Sequence, residues 1–208
     1  ANIQSRLASP RCNMTALAAN EELAPYRVRH RLTVEQFHRM LEAGVLNADD
    51  RVELFEGEIL DMPPIGPKHA SHTDHLTRLF VRNASSMVVR VQGPVIVGHD
   101  SELVPDLAIL RDRAGGYVDS HPSPADIVLL VEISDSTLRY DRDAKMALYG
   151  RSGILESWIL DLNQRRLEIH REPGDRGYRQ VLRPADDEIV SPLQIPEMSL
   201  FVRELFLP

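Results

Sequence analysis

Cysteine is almost missing: Cys12 is the single one in 208 residues. That excludes an internal disulfide framework and a cysteine-built zinc site. Long apolar runs are missing too. Nothing approaches the ~18 consecutive apolar residues of a membrane-spanning helix, and residues 1–20 lack the charged-then-apolar order of a signal peptide. A cytoplasmic protein without a membrane partner is the expectation. Positive charge is short, with 31 acidic residues against 24 basic ones and a net charge of -7. This is the reverse of a sequence-wide nucleic-acid footprint, so any such contact must come from a local basic surface or a partner. Lysine is scarce among the basic residues: Lys68 and Lys145 stand alone among arginines.

What is present is ordinary for a folded chain, 43% hydrophobic and 26% charged. One domain over residues 31–208 is expected, preceded by an N-terminal arm over residues 1–30, flexible or held by a partner. Thr33 with Gln36 reads as a capping box, and Phe37, Met40 and Leu41 follow at helical spacing up to Gly44. Residues 51–62 predict a hairpin turning at Glu56-Gly57. Pro63, Pro64 and Pro67 break regular structure, and a second helix is expected over His69–Met87. Strands are expected over Val88–Val91, Pro94–Val97 and Val104–Leu110. Ile127–Ile133 is a nearly unbroken apolar run, as in a central strand covered on both faces. A helix over Asp141–Gly150, closed by Ser152-Gly153, leads to strands at Ser157–Leu162, Arg166–Arg171 and Tyr178–Leu182. This order predicts an α/β or α+β fold, a mixed sheet flanked by helices.

One residue breaks the rules of burial. Glu132 lies near the end of the most apolar strand, where a carboxylate is costly unless paired or bound to a metal. Asp106 follows Pro105 at the mouth of another apolar strand. Two acids at two strand ends can converge, and a divalent cation resolves their repulsion. Hard oxygen ligands favour Mg²⁺ or Mn²⁺ over zinc. On the helix after Glu132, Lys145 shares a face with Leu148, Tyr149 and Ser152. If Leu148 and Tyr149 meet the sheet, Lys145 points inward, and a flexible ammonium there can position water and neutralise developing charge.

These stretches, Pro105-Asp106, then Val131-Glu132-Ile133-Ser134, then Lys145, resemble the PD-(D/E)XK nuclease superfamily with the lysine moved to the next helix. More narrowly, the chain resembles the Uma2 family of restriction-endonuclease-like proteins. The resemblance runs through Arg51-Val-Glu-Leu-Phe-Glu-Gly-Glu-Ile-Leu60, the proline-rich loop ending at His69, Val104-Pro-Asp-Leu-Ala-Ile109 and Leu130-Val-Glu-Ile-Ser-Asp-Ser-Thr137. It continues through Asp141–Tyr149 and Gly153–Asp161, in one consistent order over roughly Leu32 to Phe206. Each motif alone is weak; the ordered set is specific. The resemblance implies a restriction-endonuclease-like core, a Mg²⁺-dependent phosphodiesterase site and a homodimer. By position it makes Asp106 and Glu132 metal ligands, with the Ile133 carbonyl as a further one, and Lys145 the catalytic lysine. A hairpin acid should complete the site: Glu53 is preferred, with Glu56 and Glu58 as alternatives. Ser134 departs from the superfamily, standing where the usual lysine would be.

Other residues carry blander expectations. His69 is given a helix-start role, His72 and His75 a solvated face, Trp158 a place in the core, and Asp186-Asp187-Glu188 a surface turn. Three functions remain open. The first is a Mg²⁺-dependent endonuclease acting on DNA. The second is a nuclease-fold binding or regulatory module with weak catalysis, which the acidic charge and Ser134 favour. The third is a hydrolase of small phosphoesters.

Overall fold

The computed structural model describes residues 29–47 and 49–208, of which Leu32–Pro208 is one compact unit. The expected arm lies almost entirely outside the described residues. Helix α1 (Val34–Glu42) starts on the anticipated capping box, Thr33 accepting from the Gln36 amide and Gln36 accepting from the Thr33 amide. Strands β1 (Val52–Phe55) and β2 (Glu58–Asp61) form the hairpin. Its two turn residues, Glu56 and Gly57, both have positive φ, as a two-residue turn that follows the strands' twist requires.

Two sheets organise the rest. The first has the order β2-β1-β5-β4, with β4 (Val95–Gly98) and β5 (Ser101–Leu103). The second is six-stranded, β10-β9-β8-β7-β6-β3. It contains β3 (Met87–Val91), β6 (Leu107–Arg111), β7 (Ile127–Ser134), β8 (Glu156–Asp161), β9 (Arg166–Gly174) and β10 (Gly177–Leu182). All its pairings are antiparallel except β7 with β8, so the sheet is mixed, as expected. A small ribbon of β11 (Ile189–Val190) and β12 (Leu200–Phe201) lies near the C-terminus.

Strand β7 is buried over its whole length, and its alternation divides the core. Leu129, Val131 and Ile133 face a layer formed by helix α2 (Pro67–Asn83) and the C-terminal segment. Leu130 faces the opposite layer, with Met146, Leu148 and Tyr149 and with Val95, Val97 and Leu103 of the first sheet. Glu132 follows Leu130 on that second face. A third small cluster joins Val34 and Phe37 of α1 to Leu54.

Several expectations need correction. Val104–Leu110 is not strand throughout: β5 of the first sheet ends at Leu103, and β6 of the second begins only at Leu107. Pro105 has no N–H to donate to a ladder, so the chain changes sheets there. The second helix begins at Pro67, whose missing donor costs nothing in the first turn, and ends at Asn83; Met87 opens β3 instead. The helix after β7 is not regular: α3 (Leu138–Tyr140), a π-turn (Asp141–Lys145) and α4 (Met146–Arg151) follow one another. His72 faces protein rather than solvent, and His75 is half-buried. Buried His72 donates from Nδ1 to the Lys68 carbonyl (2.8 Å) and accepts from the Leu207 amide (3.3 Å), while His75 donates to the Glu204 carbonyl (2.6 Å). Trp158 is in the core and Asp186-Asp187 is a surface turn, as expected.

Candidate active site

The two sheets meet over a cleft of about 820 Å³ lined by β1, β2, the 62–66 loop, the 104–106 corner and the π-turn. Seven of its lining side chains are carboxylic acids, against two arginines and one lysine. An open acidic cleft of this kind repels a polyanion unless a cation enters first.

Glu132, Lys145 and Glu53 are 2%, 5% and 4% exposed. The Lys145 ammonium lies 3.4 Å from both Glu132 oxygens and 3.6 Å from Glu53 Oε2. The π-turn produces this: it ends at Lys145, and Tyr149, one helical turn on, shares its face. Tyr149 donates to Glu132 Oε1 at 2.6 Å. Tyr140, from the turn's start, donates to Glu53 Oε1 at 2.8 Å, and the Val104 amide reaches Glu53 Oε2 at 3.4 Å. Glu53 shares the strand face of Phe55, turned to the cleft, while Leu54 faces α1. Of the other hairpin acids, Glu56 occupies the turn and pairs with Arg151 at 2.6 Å, and Glu58 is exposed on β2.

Asp106 sits where the chain crosses between sheets. Its Oδ2 accepts from the Ile133 amide at 2.8 Å and meets His69 Nε2 at 3.1 Å; its Oδ1 accepts from Gln92 at 3.2 Å. The β6–β7 ladder reaches Leu107 opposite Val131, so the Asp106 carboxylate continues it by side chain. Amide and carbonyl of one strand residue leave on the same edge, which turns the Ile133 carbonyl toward Asp106.

Five neighbours had little signal in the sequence. His69 lines the cleft rather than merely starting a helix. Gln92 holds a positive φ of 45°, unusual for a non-glycine residue and a mark of constraint. Tyr140 and Tyr149 hold the two glutamates. Asp141 is buried and accepts from Ser134 and Thr137, each at 2.6 Å. Ser134, in place of the superfamily's lysine, therefore anchors the π-turn.

Charge and burial compete here. Burial pushes the Glu132 carboxyl up to about 8, with Asp141 and Asp106 adding to the shift and Lys145 and Tyr149 opposing it. Burial works against the Lys145 ammonium, but Glu132, Glu53, Asp141 and Asp106 together outweigh it and raise its pKa. Lys145 is therefore a fixed donor rather than a base. Among the described residues, no three acids of the cleft bring ligand oxygens within 4.8 Å of one another. Asp106, Glu132 and the Ile133 carbonyl nonetheless offer a hard oxygen set. Such a set suits Mg²⁺, which binds through one or two carboxylates and keeps several waters.

The comparisons agree with this frame. A family model, Uma2, described as "Putative restriction endonuclease", matches residues 34–203. A solved structure from Anabaena variabilis ATCC 29413, described as a "putative nuclease belonging to DUF820", superimposes with a TM-score of 0.67. The two are 16% identical, and the match covers 84% of this chain and 97% of the other. The likeness is one of fold and places this chain among restriction-endonuclease-like cores. No curated protein matches the chain.

Proposed function

The chain belongs to the Uma2 family of restriction-endonuclease-like proteins, and from that premise we propose that it hydrolyses phosphodiester bonds in DNA with Mg²⁺ or Mn²⁺. Asp106, Glu132 and the Ile133 carbonyl would hold the ion. The observation that carries this reading is the burial of Glu132 and Glu53 around the single ammonium of Lys145 on the wall of an acidic cleft. Two buried carboxyl groups share one ammonium with Asp106 beside them, and a divalent ion would favour the ionised Glu132 that burial and the neighbouring acids oppose.

Bound there, the ion would polarise a phosphate oxygen and lower the pKa of a bound water. Lys145, kept charged, donates a hydrogen bond that orients the attacking water and stabilises charge growing on the phosphate. Glu53 holds that ammonium from the far side, and Tyr140 holds Glu53. His69 and Gln92 fix the Asp106 carboxylate. Arg51 and Arg139 line the cleft and supply local positive charge for the flanking phosphates.

Nicking of supercoiled plasmid with Mg²⁺ or Mn²⁺ tests the reading. Cleavage should stop with EDTA and fall by roughly 10²–10³ in Lys145→Ala, and it should be lost in Glu132→Ala, with thermal melts showing that both variants fold. Cleavage unchanged in both variants would overturn it. The net charge of -7 favours a second reading, a binding or regulatory module. Salt-dependent DNA binding that persists without divalent metal, with no cleavage, would select it. Turnover of nucleotide phosphoesters but not plasmid would select a small-substrate hydrolase. Cutting both strands of a duplex would take two such clefts, so a homodimer belongs to the first reading, and sedimentation tests it.

A further inference from the structure

We propose that His38, Glu102 and His121 form a binding site for a Zn²⁺-type transition-metal ion, separate from the carboxylate cleft. Ligand atoms of these three side chains all lie within 4.8 Å of one another, and none of the three lines the cleft. They come from three elements: His38 from α1, Glu102 from the middle of β5, and His121 from the loop between β6 and β7. The α1 start is tied to the β4–β5 turn by the Val34 amide on the His99 carbonyl (2.8 Å). The loop is tied to β4 by the Ile96 amide on the Pro122 carbonyl (2.9 Å).

Glu102 pairs across the sheet with Leu54 on one side and Ile96 on the other, so its side chain shares their face. That face packs against Val34 and Phe37 of α1. A carboxyl group 5% exposed in such a setting requires a hydrogen-bonding partner. His38 meets it at 2.6 Å, and that pair alone would satisfy the acid. The pair leaves unexplained a second imidazole, His121, turned to the same point from a different segment, its ring centroid 6.1 Å from that of His38.

Two imidazoles and one carboxylate form a borderline-soft donor set, unlike the all-oxygen set of the cleft, and suit Zn²⁺ with water as the fourth ligand. In a tetrahedral site with bonds of ~2.0–2.1 Å the ligand atoms stand ~3.3 Å apart. His38, whose side chain is 37% exposed, would open from its 2.6 Å contact with Glu102 to that spacing and His121 would adjust on its loop, while Glu102 stays fixed in the sheet. The Arg90 guanidinium lies 3.4 Å from His121 Nδ1, but its shorter bond, 2.9 Å, is to the Pro94 carbonyl. The long contact can give way when a metal takes the ring. An ion here would join α1, the first sheet and the 112–123 loop. It would also steady β1, which carries Leu54 toward this site and Glu53 toward the cleft.

Co²⁺ titration of the metal-free full chain tests the site, because a tetrahedral Co²⁺ site absorbs visible light strongly and an all-oxygen octahedral site does so weakly. We expect one equivalent with tetrahedral absorption, displaced by Zn²⁺ and not by excess Mg²⁺. His38→Gln and His121→Gln should each weaken binding at least ~10-fold, and His121→Gln, which leaves the His38–Glu102 pair in place, should do so with unchanged melting in EDTA. The double variant Asp106→Asn, Glu132→Gln should keep the absorption. Absence of a tetrahedral spectrum, a spectrum unaffected by both histidine variants, or one lost in the cleft variant instead, each overturns the proposal.

Discussion

The Tyr149 hydroxyl donates to Glu132 Oε1 across 2.6 Å with both side chains buried. It is a neutral donor on an acid whose charged partner, Lys145, is shared with Glu53. In Tyr149→Phe the carboxyl group loses that donor. Leaving a buried acceptor unpaired costs ~1–3 kcal/mol, so urea denaturation of the metal-free variant should show a fall of that order. An unchanged midpoint would mean that the phenol contributes only packing.

Glu132 makes stability depend on pH in a definite direction. Its folded pKa, about 8, stands above the ordinary 4.5 because burial favours the neutral form. The folded state therefore binds the extra proton, and the contribution is complete below 4.5 and lost as pH rises toward about 8. The slope from this group is at most ~1.4 kcal/mol per pH unit. Glu132→Gln removes it, so metal-free wild type should lose stability relative to the variant as pH rises through that window, and saturating Mg²⁺ should narrow the gap. Parallel curves for the two proteins would count against a protonated Glu132.

His69 reports on Asp106. Its hydrogen bond to that carboxylate raises the imidazole pKa against the opposing pull of burial. Asp106→Asn should bring the His69 titration down in an NMR series, and Mg²⁺ binding at Asp106 should move it the same way. An unshifted resonance in the variant would show that the 3.1 Å contact does not form in solution.

Gly150 lies in α4, where alanine would ordinarily favour the helix by ~1 kcal/mol. A Cβ there would stand 2.4 Å from the Gly177 carbonyl carbon and 2.6 Å from the Tyr178 nitrogen. Gly150→Ala should therefore destabilise the protein by ~1–3 kcal/mol through overpacking, read by chemical denaturation. A more stable variant would mean that β10 can move aside.

Much of the architecture was legible before any coordinates. The capping box at Thr33, the Glu56-Gly57 turn and the unbroken apolar run of β7 are local signals, set by backbone geometry and by burial on both faces. They placed Glu132 inside a core strand and turned Lys145 inward by helical spacing. The motif order from Arg51 to Asp161 identified the family. Periodicity could not show that Pro105 moves the chain from one sheet to another, since a strand and a sheet crossing share the same apolar pattern.

The remainder belongs to tertiary structure. Glu53 stands apart from Glu56 and Glu58 only because β1 turns its Phe55 face to the cleft, and a two-residue repeat does not say which face is buried against what. The π-turn at Asp141–Lys145 leaves no periodic signature; buried Asp141, bonded to Ser134 and Thr137, goes with it. His69, Gln92 and both tyrosines reach the acids from segments distant in sequence, as His121 reaches Glu102. The chain alone determined that acids would be buried at strand ends. Which groups surround them followed from the packing of two sheets and a helix, because pairing between remote side chains is decided by where the backbone carries them.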